Sequence, residues 1–297
     1  MVAVLTDSLD LMLCPHCGAD WDPAASGPRV LVCAEGHRYD AARHGYVNFL
    51  TGRRSRFTPD TPEMVAARDR FLGARHYAPI ADAVAEACSA LPRDAALLDA
   101  GAGTGHYLAA VLDRLGDGVR AEPGAPGEAR ARRRPRAVAL DLSAHALRRA
   151  ARLPGVTAAV WDLWRPLPLA AASVHAVLDV FAPRNLPEFA RVTRRGGLLV
   201  AVTPLPDHLG ELRDRLPLLA VPEGKAEALE QAASENYART ARRELRFPVV
   251  LAPSAAADLV QMGPAGHHTA REDLEEMAGN EQLTATAAVE LSVLTRR

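Results

Sequence analysis

From residue 97 onward the chain repeats one pattern, an apolar run closed by an acid and followed by a turn and a helix-period stretch. Leu97 and Leu98 lead into Asp99; Gly101, Gly103 and Gly105 then alternate with small residues, and a helix is expected from about Gly105 to Leu115. Ala137 to Leu140 closes on Asp141, followed by a helix from Ala144 to Arg152. Val156 to Trp161 closes on Asp162 and Leu163 before Pro166, Leu167 and Pro168 break the chain. Val174 to Phe181 is a further apolar strand, interrupted by His175 and Asp179, and it runs into Ala182-Pro183-Arg184-Asn185. Glu188 to Thr193 reads as a helix, Arg195-Gly196-Gly197 as a turn and Leu198 to Val202 as a strand. Residues 222–244 read as a charged helix, and Leu245 to Leu251 with Thr284 to Leu294 as two antiparallel strands. Upstream, Asp60 or Thr61 can cap a helix that has Pro62 at its first position and Glu63 in its first turn. Met64, Ala67, Arg68, Phe71 and Leu72 share one face of it, and a second helix runs from about Pro79 to Ala90. Strands alternating with helices predict an α/β fold.

Composition narrows the class. The 297 residues suffice for one large α/β domain with a small appendage, and 48% hydrophobic with 24% charged residues describe an ordinary soluble protein. No apolar run approaches the length of about 18 residues that a membrane span needs, and the opening MVAVLTDSLD carries acids rather than a basic region. A cytoplasmic location and no membrane partner are therefore expected. The net charge of −1 argues against a wholly basic nucleic-acid binder but allows local basic patches. Lys225 is the sole lysine, a bias that a GC-rich genome explains. Four cysteines are too few for a disulfide scaffold.

Three of those cysteines cluster near the start. Cys14, Cys17, Cys33 and His37 have the spacing C-x2-C-x15-C-x3-H, in which each half is a tight knuckle with a glycine to relieve the backbone. A Cys3His set fills the tetrahedron of a Zn2+ ion and leaves no position open, which predicts a structural site whose metal supplies much of the folding free energy of a small module. His16 is read as a neighbour of the site or an exposed residue, and Cys88 as a lone buried thiol. Next come five arginines against one acid between Arg38 and Arg56, interleaved with Tyr39, Tyr46 and Phe49. Arginines for phosphates and aromatics for unstacked bases suit looped RNA. Tyr46, Val47, Phe49 and Leu50 are expected to pack the small module, while Arg53, Arg54 and Arg56 are candidate RNA contacts.

Asp99, Gly101, Gly103 and Gly105 form D-x-G-x-G-x-G between a strand and a helix, so a ligand can approach the backbone while the new helix offers unpaired N–H groups. The motif is one residue tighter than the dinucleotide fingerprint and resembles the glycine loop of S-adenosylmethionine-dependent methyltransferases, with His106 and Tyr107 opening the helix beside it. Asp141 lies 42 residues after Asp99, and subtracting an insertion of roughly 20 residues brings it near the offset expected for an acid that accepts from ribose hydroxyls. Leu142 follows it, and Asp162 with Leu163 stands where an acid meets an adenine amine. The loop after Val174–Phe181 should flank the transferred methyl, so Phe181 or Pro183 could wall a flipped base. Asp179 is read as a buried, paired carboxylate, and no residue identifies itself as a general base.

CPxCG, then CxxGHxYDxAxxGYVNxL, then DTPEMVxARxxFLxxxHYxPI, followed by the glycine loop, resembles the RlmA (RrmA) type of 23S rRNA guanine-N1 methyltransferase, a group that includes tylosin-resistance enzymes. The match runs through Cys14, Cys17, Cys33, His37, Asp40, Gly45, Tyr46, Asn48, Asp60, Met64, Arg68, Phe71, Leu72, Tyr77 and Pro79. The resemblance implies a Rossmann-like class I methyltransferase domain with a small N-terminal zinc-binding domain. Residues 1–57 would form the zinc-binding RNA-recognition domain, 58–92 a helical linker and 93–297 the methyltransferase domain. It further implies S-adenosylmethionine as cofactor, 23S rRNA as partner, a target guanine in a hairpin loop near the peptide exit tunnel, and a contribution to tylosin-type macrolide resistance. Arg68 and Tyr77 would help cover the cofactor. His208, Leu209 and Leu212 repeat the family's HLxEL pattern, and Met262-Gly263-Pro264 resembles a loop over the substrate side, whereas His267 and His268 depart from it and are expected at the surface. The Arg-rich stretch 116–136 is longer than the family leads one to expect and reads as a solvated loop. Two alternatives stay open: a small-molecule methyltransferase whose zinc module is a lid or homodimer contact, and a non-catalytic zinc-containing RNA-binding factor.

Overall fold

The structure is a computed structural model that describes residues 5–50, 55–116 and 134–297. The sheet is built from β3 (Val47–Asn48), β4 (Ala96–Ala100), β5 (Arg136–Asp141), β6 (Val156–Val160), β7 (Val174–Val180), β8 (Thr193–Pro204), β9 (Tyr237–Leu251) and β10 (Leu283–Arg296), in the order β3-β6-β5-β4-β7-β8-β10-β9. From β3 to β8 neighbouring strands are parallel; β10 lies antiparallel between β8 and β9. The chain winds outward from β4 through β5 to β6, then returns to the other side of β4 with β7 and β8, so the order reverses between β4 and β7. That is the Rossmann-like class I order that the family resemblance implied, in an α/β fold that the alternation of strands and helices predicted.

Burial on both faces explains the continuous apolar runs. Within β4, Leu97 packs into one apolar layer and Leu98 into the other. The first layer holds α2 (Ala78–Ala87) and α3 (His106–Gly116). The second holds α5 (Leu186–Val192), through Phe189, and the N-terminal module, through Leu11, Trp21, Leu31, Tyr39 and Phe49. This module has its own hairpin, β1 (Val30–Val32) with β2 (Arg38–Asp40), and contributes β3 to the large sheet. Val47 pairs with Ala159, and the Phe49 N–H donates to the Val160 carbonyl at 3.3 Å. Module and sheet thus share both hydrogen bonds and a core.

In α1 (Pro62–Gly73) the Thr61 hydroxyl accepts the Met64 N–H at 3.3 Å, so Thr61 and not Asp60 is the cap. α4 spans Ala144–Ala150, with Ser143 as its cap. The reading of 222–244 as one helix is corrected. α6 ends at Ala233, having begun at Lys225, and from Tyr237 the chain is already in β9. Glu235 stands four residues before Arg239, a spacing that suits a helix, but pairing of Tyr237–Leu251 with β10 along its whole length overrides local propensity. Charged side chains on this outermost strand also discourage a further strand from adding. Two helices not read from the sequence, α7 (Pro253–Gln261) and α8 (Arg271–Ala278), fill the span between β9 and β10. No helix among the described residues is long and apolar enough to cross a membrane.

Candidate functional site

Beyond the carboxyl ends of β4 to β8, where the strand order reverses, lies a cavity of about 620 Å3. Gly101, Gly103, His106, Tyr107, Asp141, Leu142, Asp162 and Leu163 line it together with Arg68, Tyr77, Phe181 and Pro183. Gly101 has a φ of +77°, and a Cβ there would meet the Ala182 Cβ at 2.5 Å, so the turn after β4 and the loop after β7 touch only because this residue has no side chain. Gly105 does not line the cavity. A Cβ on it would meet Leu153 Cδ1 at 2.8 Å and Ala150 Cα at 3.2 Å, which makes it the glycine that lets α3 pack on the end of α4.

Asp141, at the end of β5, accepts the Gly103 N–H on one carboxylate oxygen at 2.8 Å and the Ser143 N–H on the other at 2.7 Å. Burial raises its pKa, and those two N–H groups oppose the rise. Asp162, at the end of β6, accepts the Trp164 N–H at 3.1 Å and the Ser55 hydroxyl at 2.8 Å. Arg68 reaches from α1 over Gly103, pairs with the Asp60 carboxylate and donates to the Met262 carbonyl at 2.6 Å. Asp99 lies behind this wall, outside the cavity lining, and burial, with Asp141 and Asp179 adding to it, pushes its carboxyl up to about 8.

Past β7 the lining turns aromatic. Phe181 sits at a φ of +56° with 41% of its surface exposed, and its ring centroid lies 6.2 Å from Tyr77, 6.5 Å from Tyr107 and 6.1 Å from His208. A left-handed conformation at a bulky aromatic is strained and turns the ring out of the strand end. Asp179, fully buried in β7, accepts Arg184 Nε at 2.9 Å, and Arg184 also donates to the Thr203 hydroxyl at 2.6 Å. It is the buried, paired carboxylate that the sequence suggested, and it does not line the cavity.

In the N-terminal module the candidate ligand atoms of Cys14, Cys17, Cys33 and His37 all lie within 4.8 Å of one another. The Cys17 and Cys33 sulfurs are 3.8 Å apart, and Cys33 Sγ is 3.4 Å from His37 Nδ1. Sulfurs bound tetrahedrally to one zinc at about 2.3 Å stand roughly 3.8 Å apart, so the set fits that ion. The exposed His16 packs its ring against His37, and Cys88 is a lone buried thiol in the other lobe, as expected. Tyr39 and Phe49 are core residues, edge-on to one another beside Trp21. Arg38 pairs with Asp40 at 3.2 Å, and Arg136 with Asp10 at 2.6 Å. Arg56 lies 4.9 Å above Phe57, which is stacked on Trp164, and both of these exposed rings border the cavity. Arg53, Arg54 and residues 117–133 of the Arg-rich stretch lie outside the described residues.

No protein-family model matches the chain. A Streptomyces fradiae protein named 23S rRNA (guanine(748)-N(1))-methyltransferase is 40% identical over 270 residues, spanning 89% of this chain and 88% of its own. A Micromonospora griseorubida protein with the provisional name 23S rRNA (guanine-N(1)-)-methyltransferase is 43% identical over 305 residues, 96% of this chain and 97% of its own. The chain belongs to the 23S rRNA guanine-N1 methyltransferase family. Solved structures are more distant: the YcgJ protein of Bacillus subtilis shares 14% identity over 77% of this chain and 98% of its own, with a TM-score of 0.46.

As a guanine-N1 methyltransferase family member, the chain gathers the glycine loop, both strand-end acids and the two aromatic-loop residues into one cavity. Much of what was not placed at the site from the sequence comes from the C-terminal half: His208 and Leu209 after β8, Val260 in α7 and His267 beyond it also line the wall. His267 is thus placed at the cavity and not on the outer surface expected for it. The HLxEL match at His208 and the Met262-Gly263-Pro264 resemblance were the available signals, and that loop does line the cavity. Ser55 carried none, because a lone serine after an arginine pair has no pattern to betray its partner 107 residues away.

Proposed function

We propose that the protein methylates N1 of a guanine in 23S rRNA, using S-adenosylmethionine. The observation that carries this reading is the union, in a chain of this family, of the glycine turn with an acid at each of two adjacent strand ends. The cavity is of a size that holds a small-molecule cofactor. Asp141 would accept from the ribose hydroxyls, Asp162 from the adenine amine, and the turn from Gly101 to Gly103 would face the amino acid end. S-adenosylmethionine supplies an electrophilic methyl group on a sulfonium, with a neutral thioether as leaving group. Arg68 closes the cavity over Gly103, and His106 and Tyr107 border it from α3. Asp99, raised by burial, would be drawn back toward its ionised form by a cationic ligand.

The chain's remaining work is to orient the base, because positioning dominates when the leaving group is already good. Phe181 and Pro183 would wall the flipped guanine. Residues 1–57 would hold a structural zinc and recognise the RNA, through Arg56 and the edge it shares with Phe57 and Trp164 and through Arg53 and Arg54. Tyr39 and Phe49 would serve by packing that module. Residues 58–92 would link it to the cofactor domain, and the place of action would be the cytoplasm. Protection against tylosin-type macrolides would follow if the modified guanine lies in the drug's binding site.

The test is methyl transfer to a 23S rRNA transcript with the product mapped by reverse transcription, since a methyl on N1 blocks Watson–Crick pairing. A cofactor-dependent stop at one guanine is expected. Cofactor turnover on a small molecule with no stop on the RNA would favour the small-molecule alternative.

A further inference from the structure

Sheet order divides the cavity. Asp162 follows β6, Asp141 ends β5 and the glycine turn follows β4, so a cofactor would lie along those three strands and its acceptor beyond β7 and β8. Phe181 follows β7, and His208 follows β8 by four residues. Tyr77, which caps α2, meets both of them there. The surrounding side chains are largely rings: Phe71 and Phe247 pack edge-on against Tyr77 at centroid distances of 5.0 and 6.4 Å. A polar pair in this setting lies where the reacting base must sit.

One tautomer of His208 gives the pair a direction. The Ala288 N–H, just past the end of the β8–β10 ladder, donates to His208 Nδ1 at 3.1 Å. Nδ1 is also 3.0 Å from the Ala288 carbonyl, which accepts the Leu205 N–H at 3.0 Å; we assign Nδ1 as the acceptor of the Ala288 N–H. With Nδ1 an acceptor, Nε2 carries the proton and donates to Tyr77 Oη, 3.1 Å away. The hydroxyl's own proton is then left to donate elsewhere. Burial keeps the Tyr77 phenol well above its ordinary pKa, so it stays a donor. Burial also pushes His208 down to about 4, with the contact to the Ala288 backbone and Asp207 opposing the fall and Arg213 adding to it, so the imidazole stays neutral.

We propose that the Tyr77 hydroxyl, oriented by His208, hydrogen-bonds O6 of the target guanine and stabilises the charge that reaches O6 as N1 gives up its proton. The proposal rests on the guanine-N1 reading. Neutral guanine holds a proton on N1; when it leaves to water, the electron pair is shared between N1 and O6. That pair forms the N1–CH3 bond, and the pair of the breaking S–CH3 bond stays on sulfur. A donor fixed at O6 lowers the free energy of the anion before attack, as preorganised donors do at an oxyanion. Tyr77 would be a catalytic residue and His208 a positioning residue.

Tyr77→Phe in the full-length enzyme, assayed on the 23S transcript from pH 7 to 9.5, tests it. The expected result is a kcat lower by about 100-fold at pH 7.5, a loss typical of one oxyanion donor, shrinking several-fold by pH 9.5 as the base ionises unaided. The dissociation constants for S-adenosylmethionine, by calorimetry, and for the transcript should stay within about twofold, about 0.4 kcal/mol. His208→Gln, which keeps a donor for Tyr77, should retain more activity than His208→Ala. Wild-type turnover in Tyr77→Phe, a loss that does not change with pH, or loss of S-adenosylmethionine binding would overturn the proposal. Failure of the wild-type enzyme to methylate N1 at any pH would instead overturn the guanine reading beneath it.

Discussion

The two halves of the cavity are built differently. On the cofactor side, Asp141 and Asp162 each take two hydrogen bonds and Arg68 bridges Asp60 and Met262, so these charged groups all have fixed partners. On the acceptor side, rings dominate, and the polar pair at the cavity is Tyr77 with His208, while Asp179 with Arg184 lies behind the lining. The first half is assembled mainly from successive strand ends. The second draws on α2, the end of β7, the segment after β8 and a backbone amide of β10. A shared cofactor can be held by local backbone geometry, whereas the choice of acceptor depends on packing among segments distant in sequence.

The largest expected effect comes where the halves touch. Gly101→Ala puts a Cβ 2.5 Å from that of Ala182 and a side chain at a φ of +77°, so it should displace both loops at once. Affinity for S-adenosylmethionine, measured by calorimetry, should fall at least about 100-fold, or about 2.7 kcal/mol. Unchanged affinity would mean that the close approach of the loops is not needed. Removing zinc should separate the module from the cofactor half. A chelator, or Cys33→Ala, should lower affinity for the transcript by about tenfold or more while cofactor affinity changes less than about threefold, or 0.7 kcal/mol. Full RNA methylation by metal-free protein would show that the metal does not organise RNA recognition.

Asp99 gives a pH signature to the cofactor half. Its carboxyl moves from 3.8 to about 8 on folding, so between these values the folded protein binds more protons than the unfolded chain. Stability of the ligand-free protein should therefore fall as pH rises from about 4 to about 8. Asp99→Asn should flatten that slope in denaturant titrations run at several pH values; an unaltered slope would place its origin in other groups. The smallest effect is expected at the rim: Arg56→Gln should weaken transcript binding about threefold and reduce the salt slope by about one. An unchanged slope would move phosphate recognition to Arg53, Arg54 or the Arg-rich stretch.

The same contrast explains what was legible in the sequence. A strand, an acid and a glycine turn are contiguous, so Asp99, Gly101, Asp141 and Asp162 could be placed by spacing alone, and ligand spacing likewise found Cys14, Cys17, Cys33 and His37. The role of Gly105 was not legible, because its neighbours Ala150 and Leu153 belong to another helix. Residues 237–244 looked helical because nothing local announces the partner strand, Glu290 to Arg296, that makes them β9. His208 was visible as part of a motif, but its bond to Tyr77 spans 131 residues and exists only in the fold.

A crystal structure with S-adenosylhomocysteine bound would test the division of the cavity most directly. The account predicts the ribose hydroxyls on Asp141, the adenine amine on Asp162 and the sulfur directed past Gly101 toward Phe181, Tyr77 and His208. A sulfur directed toward the β6 edge, with the adenine lodged among those three rings, would contradict it.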